Sequence, residues 1–384
     1  MSFAERNRYD SESFGHSADT ANDMTKTQDL HGKFTMIAYD VVMNRSQRYI
    51  FVAFSVALGL IRCSSALTAS EDARDRSQAS SEVPKTPPVP AIAPLKKLTD
   101  VVPAERLVDA GGIKTHFVRK GIEGPQILLL HGFGSSTYTW RKNIDRLAEF
   151  GRVTAIDIKG FGLTEKPKDG QYGEAAYVRH VLAAMDALGL QKPIIVGNSM
   201  GGAVAARLAL EHPERCLGLI LVDAARPFTR LDFEGAGVDT ARFAGRPSVF
   251  AVAMVRSLIT RERIRQTLLS VYDGHEPVTD EMIDAYYVPT TIEGAPQALL
   301  AMMNPPADPA KPIPLKNLTC PVTILWGKRD NVIPVAAGEA LAREIPNAEL
   351  VIWAEAGHLP HEDEPDRFHE LVRDFVRRNS LSGS

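Results

Sequence analysis

Hydrophobic positions divide the chain into two unlike parts. From about residue 101 onward, short apolar runs alternate with amphipathic helical stretches; before it, a single apolar run stands isolated in polar sequence. In the later part, residues 113–118 alternate like a half-exposed strand, and 126–130 form a mostly apolar run of the buried kind. Residues 140–149 read as a helix, 153–158 as a strand and 177–188 as an amphipathic helix. A β-branched run at 194–196 passes directly into a helical pattern over 200–210, and 219–222 is again a strand. Alternation then stops. Residues 224–314 hold helical stretches at 247–259, 262–272, 280–287 and 295–303, with no convincing strand among them. Strands resume at 322–325 and 349–352, and an amphipathic helix with proline at its start closes the domain over 365–377. The pattern predicts an α/β fold: a mostly parallel sheet flanked by helices, built from 101–223 and 315–380, with an inserted helical cap at 224–314. Ligands of such sheets sit at the carboxyl ends of the strands, and the cap is the natural place for substrate selection.

The first hundred residues read differently. Residues 1–42 are polar and lack a sustained apolar period, so they are expected to be disordered or to lie upstream of the true start at Met43. Arg45 and Arg48 precede a nearly wholly apolar run at 49–61, and small residues follow at 64–66 and 67–69. That build, over 43–69, is a secretory signal peptide or membrane-targeting segment, too short for a transmembrane helix. Leu60 and Cys63 have the spacing of a lipoprotein signal, but Arg62 occupies the place of a small residue. Export, with possible membrane association, is expected if this segment is a signal, and a cytoplasmic protein otherwise. Residues 70–100 are charged and then proline-rich, the composition of a spacer.

Composition narrows the function classes. Hydrophobic residues at 44% and charged residues at 24% suffice for a sizeable core. A net charge of -3 gives no electrostatic case for a nucleic-acid partner. Cys63, Cys216 and Cys320 form no C-x-x-C pair and no even-numbered framework, which leaves the redox compartment open.

Candidate chemistry centres on Gly197-Asn198-Ser199-Met200-Gly201, a G-x-S-x-G pattern between a strand and a helix. A serine hydroxyl is a poor nucleophile unless held exposed beside a base, which a sharp strand-to-helix turn achieves. A glycine-rich loop, His131-Gly132-Phe133-Gly134, ends the 126–130 strand; Asp330 follows the penultimate strand and His358 the last.

With its Ser, Asp, His chain order, the segment from about 106 to 376 resembles the α/β-hydrolase fold family. The resemblance implies Ser199 as nucleophile, His358 as base and Asp330 as the acid that orients it, with the N–H groups of Phe133 and Met200 as oxyanion hole. Asp223, after the strand that follows the elbow, is the alternative acid; otherwise it caps the entry to the lid. His361 competes with His358, and His131 is expected to order the oxyanion loop. Lys328 and Arg329 read as solvated. The loop at 157–162 resembles haloalkane dehalogenases and epoxide hydrolases, but serine in the elbow excludes their carboxylate nucleophile. Hydrolysis of a carboxylic ester, a small-molecule substrate, through an acyl-enzyme is the leading expectation. The alternative is carbon–carbon bond hydrolysis of ring-cleavage dienoates, for which Arg226, Arg246 and Arg256 are the candidate cations; a non-catalytic binding protein is the third. No cofactor or metal is implied.

Overall fold

Parallel pairing dominates the eight-stranded sheet. A computed structural model describes residues 93–228, 248–308 and 310–379. Its strands are β1 (Leu107–Asp109), β2 (Lys114–Lys120), β3 (Gln126–Leu130), β4 (Arg152–Ile156), β5 (Ile194–Asn198), β6 (Gly218–Val222), β7 (Val322–Gly327) and β8 (Glu349–Trp353). They run in the order β1-β2-β4-β3-β5-β6-β7-β8. Only the β1–β2 and β2–β4 pairings are antiparallel. From β3 the chain steps outward to β4 and then returns to the other side of β3 to lay down β5. That reversal makes the carboxyl ends of β3 and β5 the point where a ligand crevice opens.

Central strands are buried on both faces because helices cover both, so they read as unbroken apolar runs: β3, β5, β6 and β7 are buried almost throughout. One face packs on α2 (Glu174–Ala187) and α3 (Met200–Glu211) through Val181, Met185, Val204 and Leu208. On the other, Trp140, Trp353, Phe368 and Phe375 form the core, with α10 (Pro365–Arg378) supplying the last two.

The stretch expected as one helix at 140–149 is instead a 3-10 turn, Thr137–Trp140, and a short α1, Ile144–Leu147. Between them, buried Asn143 donates to the His361 carbonyl at 2.8 Å. β1, the helix α8 (Val335–Glu344) and the short α9 (Pro360–Asp363) were not anticipated.

Among the described residues between β6 and β7 lie four α-helices: α4 (Val249–Leu258), α5 (Arg261–Tyr272), α6 (Asp280–Tyr287) and α7 (Ala295–Met303). Ser248, Thr260 and Thr279 cap the first three, each side-chain oxygen accepting a backbone N–H of the first turn. This cap is tied to the core at Glu362, which accepts hydrogen bonds from Tyr272 Oη at 2.9 Å, Thr139 Oγ1 at 2.5 Å and Arg141.

The spacer, expected to run to residue 100, ends sooner. Lys96 N–H donates to Thr291 O and Lys96 O accepts from Glu293 N–H, both at 2.9 Å, so this segment straps the cap's last turn before α7. Residues 1–42 and 43–69, with the signal-peptide expectation, lie outside the described residues. Among the described residues no helix is long and apolar enough to cross a membrane.

Candidate active site

The turn from β5 into α3 holds Ser199 at φ 52° and ψ -118°, a conformation unfavourable for a residue with a Cβ. What makes the turn possible is the pair of glycines around it. A Cβ on Gly197 would come within 2.4 Å of Gly201 O, and one on Gly201 within 2.4 Å of Leu130 O and 2.6 Å of His131 O. The elbow is thus wedged against the end of β3. Met200 N–H opens α3, where the first turn has no intrahelical acceptor and the helix dipole favours negative charge.

His131 orders the loop expected to supply the other half of the oxyanion hole. It is fully buried, and Ile158 N–H donates to its Nε2 at 3.0 Å, so Nε2 is unprotonated and Nδ1 carries the hydrogen. That hydrogen goes to Gly132 O at 2.7 Å. In a trans peptide the carbonyl and the next N–H point opposite ways, so fixing Gly132 O aims the Phe133 N–H. Burial keeps His131 neutral by lowering its pKa, against the pull of Asp157. Asp157 bolts the same loop, accepting from Thr137 N–H at 2.5 Å, Leu163 N–H at 2.7 Å and His116 Nδ1 at 2.9 Å. Burial alone would raise its pKa, but the bond and charge of His116 prevail and hold it down to about 2.

At the carboxyl ends of β7 and β8, His358 Nδ1 meets Asp330 Oδ2 at 2.8 Å, with both residues buried. Asp330 Oδ1 accepts from Val332 N–H at 2.7 Å and Ile333 N–H at 2.9 Å, which fixes the carboxylate. Burial opposes its charge, yet the charge and hydrogen bond of His358 outweigh that and keep its pKa below the ordinary value. Asp223 lies behind this pair: one side-chain ligand atom from each of Asp223, Asp330 and His358 falls within 4.8 Å of the others.

Asp223 does not cap the lid entry as expected. Its Oδ1 accepts from Gly327 N–H at 3.0 Å, bracing β6 against β7. Burial, and then the adjacent Asp330 charge, push its pKa well above the ordinary value. As a bare carboxylate oxygen its Oδ2 has no donor; as a hydroxyl it can donate to Asp330.

His361, the rival base, is a core residue stacked 4.3 Å from Trp140 and bonded through Nε2 to Thr139 at 2.9 Å. Lys328 and Arg329 are exposed, the latter paired with Glu355. Arg226 pairs with Glu344 on the surface, Arg256 donates to Ala93 O, and Arg246 lies outside the described residues.

Three residues escaped the sequence reading. Asn198 Nδ2 donates to Val222 O and His358 O, both at 3.2 Å, and so ties the elbow to the histidine loop. Beside the oxyanion loop a cavity of about 100 Å³ is lined by Phe133, Ser135 and, from the cap, Tyr286 and Leu299. Tyr286 Oη meets Ser135 Oγ at 3.3 Å, joining cap to oxyanion loop. Among the described residues lining this cavity, Lys166 is the one basic side chain. Its Nζ donates to Gly162 O and Thr164 O at 2.8 Å, which leaves a third donor, and burial brings its pKa down to about 7 against the pull of Asp157.

Fold and site together define a hydrolase of the serine type, with the elbow and the Asp–His pair on one sheet edge. Residues 125–365 match the family described as alpha/beta hydrolase fold, and the chain belongs to that family. It is 32% identical over 282 residues to 2-hydroxymuconate semialdehyde hydrolase of Pseudomonas putida, covering 71% of this chain and 93% of that protein. The solved meta-cleavage product hydrolase of Pseudomonas fluorescens IP01 is similar at 28% identity with a TM-score of 0.55, over 71% of this chain and 97% of that one. A thermophilic esterase from Thermogutta terrifontis aligns at 26% identity with a TM-score of 0.53, over 71% and 97%.

Proposed function

We propose that the protein hydrolyses a carbon–carbon bond in acidic ring-cleavage dienoates through an acyl-enzyme on Ser199. Ester hydrolysis, the leading expectation from sequence, moves to second place. Relatives whose names specify ring-cleavage products support this order. The structural observation that carries it is Lys166, a buried amine lining an otherwise uncharged cavity beside the oxyanion loop, which an incoming substrate carboxylate would hold in its charged form.

His358 takes the Ser199 proton as Oγ attacks the substrate carbonyl carbon, and Asp330 holds the imidazole tautomer and stabilises its cation. The N–H groups of Phe133 and Met200 receive the oxyanion. On collapse the carbon–carbon bond breaks, its electron pair leaves as a conjugated carbanion, and the His358 proton goes to that carbon. Water, deprotonated by His358, then cleaves the acyl-enzyme and restores Ser199.

Ester hydrolysis stays the second reading because the cavity is mainly apolar and Arg226 and Arg256 are engaged elsewhere. Assaying a dienoate ring-cleavage product beside p-nitrophenyl esters of increasing chain length separates the two. Dienoate turnover with the higher kcat/KM is expected; robust ester turnover with an inert dienoate reverses the order. Lys166→Met should raise the dienoate KM tenfold or more while moving the ester KM little, as expected for loss of a buried charged hydrogen bond.

A further inference from the structure

Two cysteines that the sequence keeps 104 positions apart meet at the amino ends of β6 and β7. Cys216 Sγ and Cys320 Sγ are 3.9 Å apart, each two residues before its strand, and the strands are parallel neighbours paired Leu219 with Val322. Both are free thiols. Cys216 is buried and Cys320 only partly so, which gives an accessible thiol backed by a shielded one. We propose that Cys216 and Cys320 are a redox modification site that closes to a disulfide when the folded protein meets an oxidised low-molecular-weight disulfide.

The chemistry balances as an exchange. Cys320, as thiolate, attacks one sulfur of glutathione disulfide and expels a glutathione thiolate. Cys216 then loses its proton to the released thiolate and attacks the Cys320 sulfur of the mixed disulfide, expelling the second glutathione. Two protein thiols are oxidised and one glutathione disulfide is reduced. The order of attack follows from exposure and is reinforced electrostatically. The hydrogen bond from Cys216 lowers the Cys320 pKa with help from Lys192, whereas Cys216 is pushed up by its bond to Cys320 and by burial. Closing from contact to a bond of about 2.05 Å asks for side-chain rotation at the two strand ends.

Position fixes the consequence. The bond would close the loop that carries α4 to α7, at the sheet edge opposite the elbow and the Asp–His pair. One strand length, roughly 17 Å, separates the two edges. Oxidation should therefore stabilise the fold by restricting the unfolded chain and leave turnover nearly unchanged.

The test uses the full chain. Incubate it with glutathione disulfide, alkylate before unfolding, and map the peptides by mass spectrometry without reduction. The expected product is a Cys216–Cys320 crosslinked peptide lighter by two hydrogens, reversed by dithiothreitol. The thermal midpoint should rise by about 5–10 °C, and kcat/KM should stay within about twofold of the reduced protein. Cys320→Ser, altering the partly exposed thiol, should abolish the crosslink and the rise together. Alkylation of both cysteines after oxidation, a mixed disulfide persisting on Cys320, or pairing of either with Cys63 would each overturn the proposal.

Discussion

Two aspartates sit side by side at the end of β6 and β7, and their surroundings drive them to opposite protonation states. Asp330 is ionised and faces His358, so Asp330→Asn should fold normally and lose about ten-thousandfold in kcat. Asp223→Asn should stay active, because an amide can still accept Gly327 N–H and donate to Asp330 as the protonated acid does. The pH dependence follows from the raised pKa of Asp223. Between its unfolded pKa, about 4, and its higher folded value, the native state binds more protons, so stability falls as pH rises. The wild type should therefore lose thermal midpoint relative to Asp223→Asn as pH rises above about 4; parallel curves would contradict this. Asp157 works in the other direction. With its pKa near 2, its contribution is present above about pH 4 and lost as pH falls toward 2, on the order of 2 kcal/mol in all. Asp157→Asn should flatten that acid limb in a denaturant titration.

Elements with strong periodicity were legible. The strands at β3, β5 and β6 and the helices α2, α3, α6 and α7 stand where the apolar pattern put them, the last two between β6 and β7. Elements hidden from the pattern have identifiable reasons. α8 contains Gly338, a poor helix residue retained because a Cβ there would approach Trp326 within 2.4 Å. β1 has only three residues, too few for a period. At the candidate site, local motifs mark Ser199, Asp330 and His358 in the sequence, whereas the contacts of Asn198 and Lys166 are fixed by tertiary packing. His131 was expected to order the oxyanion loop, and its hydrogen bonds give the means. His131→Ala should lower kcat tenfold or more with little change in KM, since it releases a donor that acts on the transition state. On sequence alone a chain beginning at Val101 should fold and retain activity. The Lys96 strap alters that expectation: beginning at 101 should lower the thermal midpoint by a few degrees, whereas beginning at 90 should not. Equal midpoints would show that the strap contributes nothing.

At the scale of the whole molecule, the carboxyl ends of the strands collect the residues proposed for catalysis, and three sets of hydrogen bonds hold the helical segment between β6 and β7. Lys96 straps the turn before α7, Tyr286 reaches the oxyanion loop through Ser135, and Tyr272 reaches buried Glu362. Burial keeps the Asp–His pair out of bulk water. Cap contacts are therefore the place to alter specificity without touching the chemistry. Expression from Met43 in a bacterium, followed by fractionation, is expected to deliver the product outside the cytoplasm with its amino terminus cut; soluble cytosolic protein with an intact terminus would contradict export.

The central claim is that Ser199, activated by His358 and Asp330, is the nucleophile. It is tested most directly by treating the protein with a fluorophosphonate and locating the adduct by peptide mass spectrometry. The expected result is a single adduct on Ser199, formed far more slowly in His358→Ala, together with a loss of roughly a millionfold in kcat for Ser199→Ala. An adduct on another serine, or turnover that survives in Ser199→Ala, would contradict it.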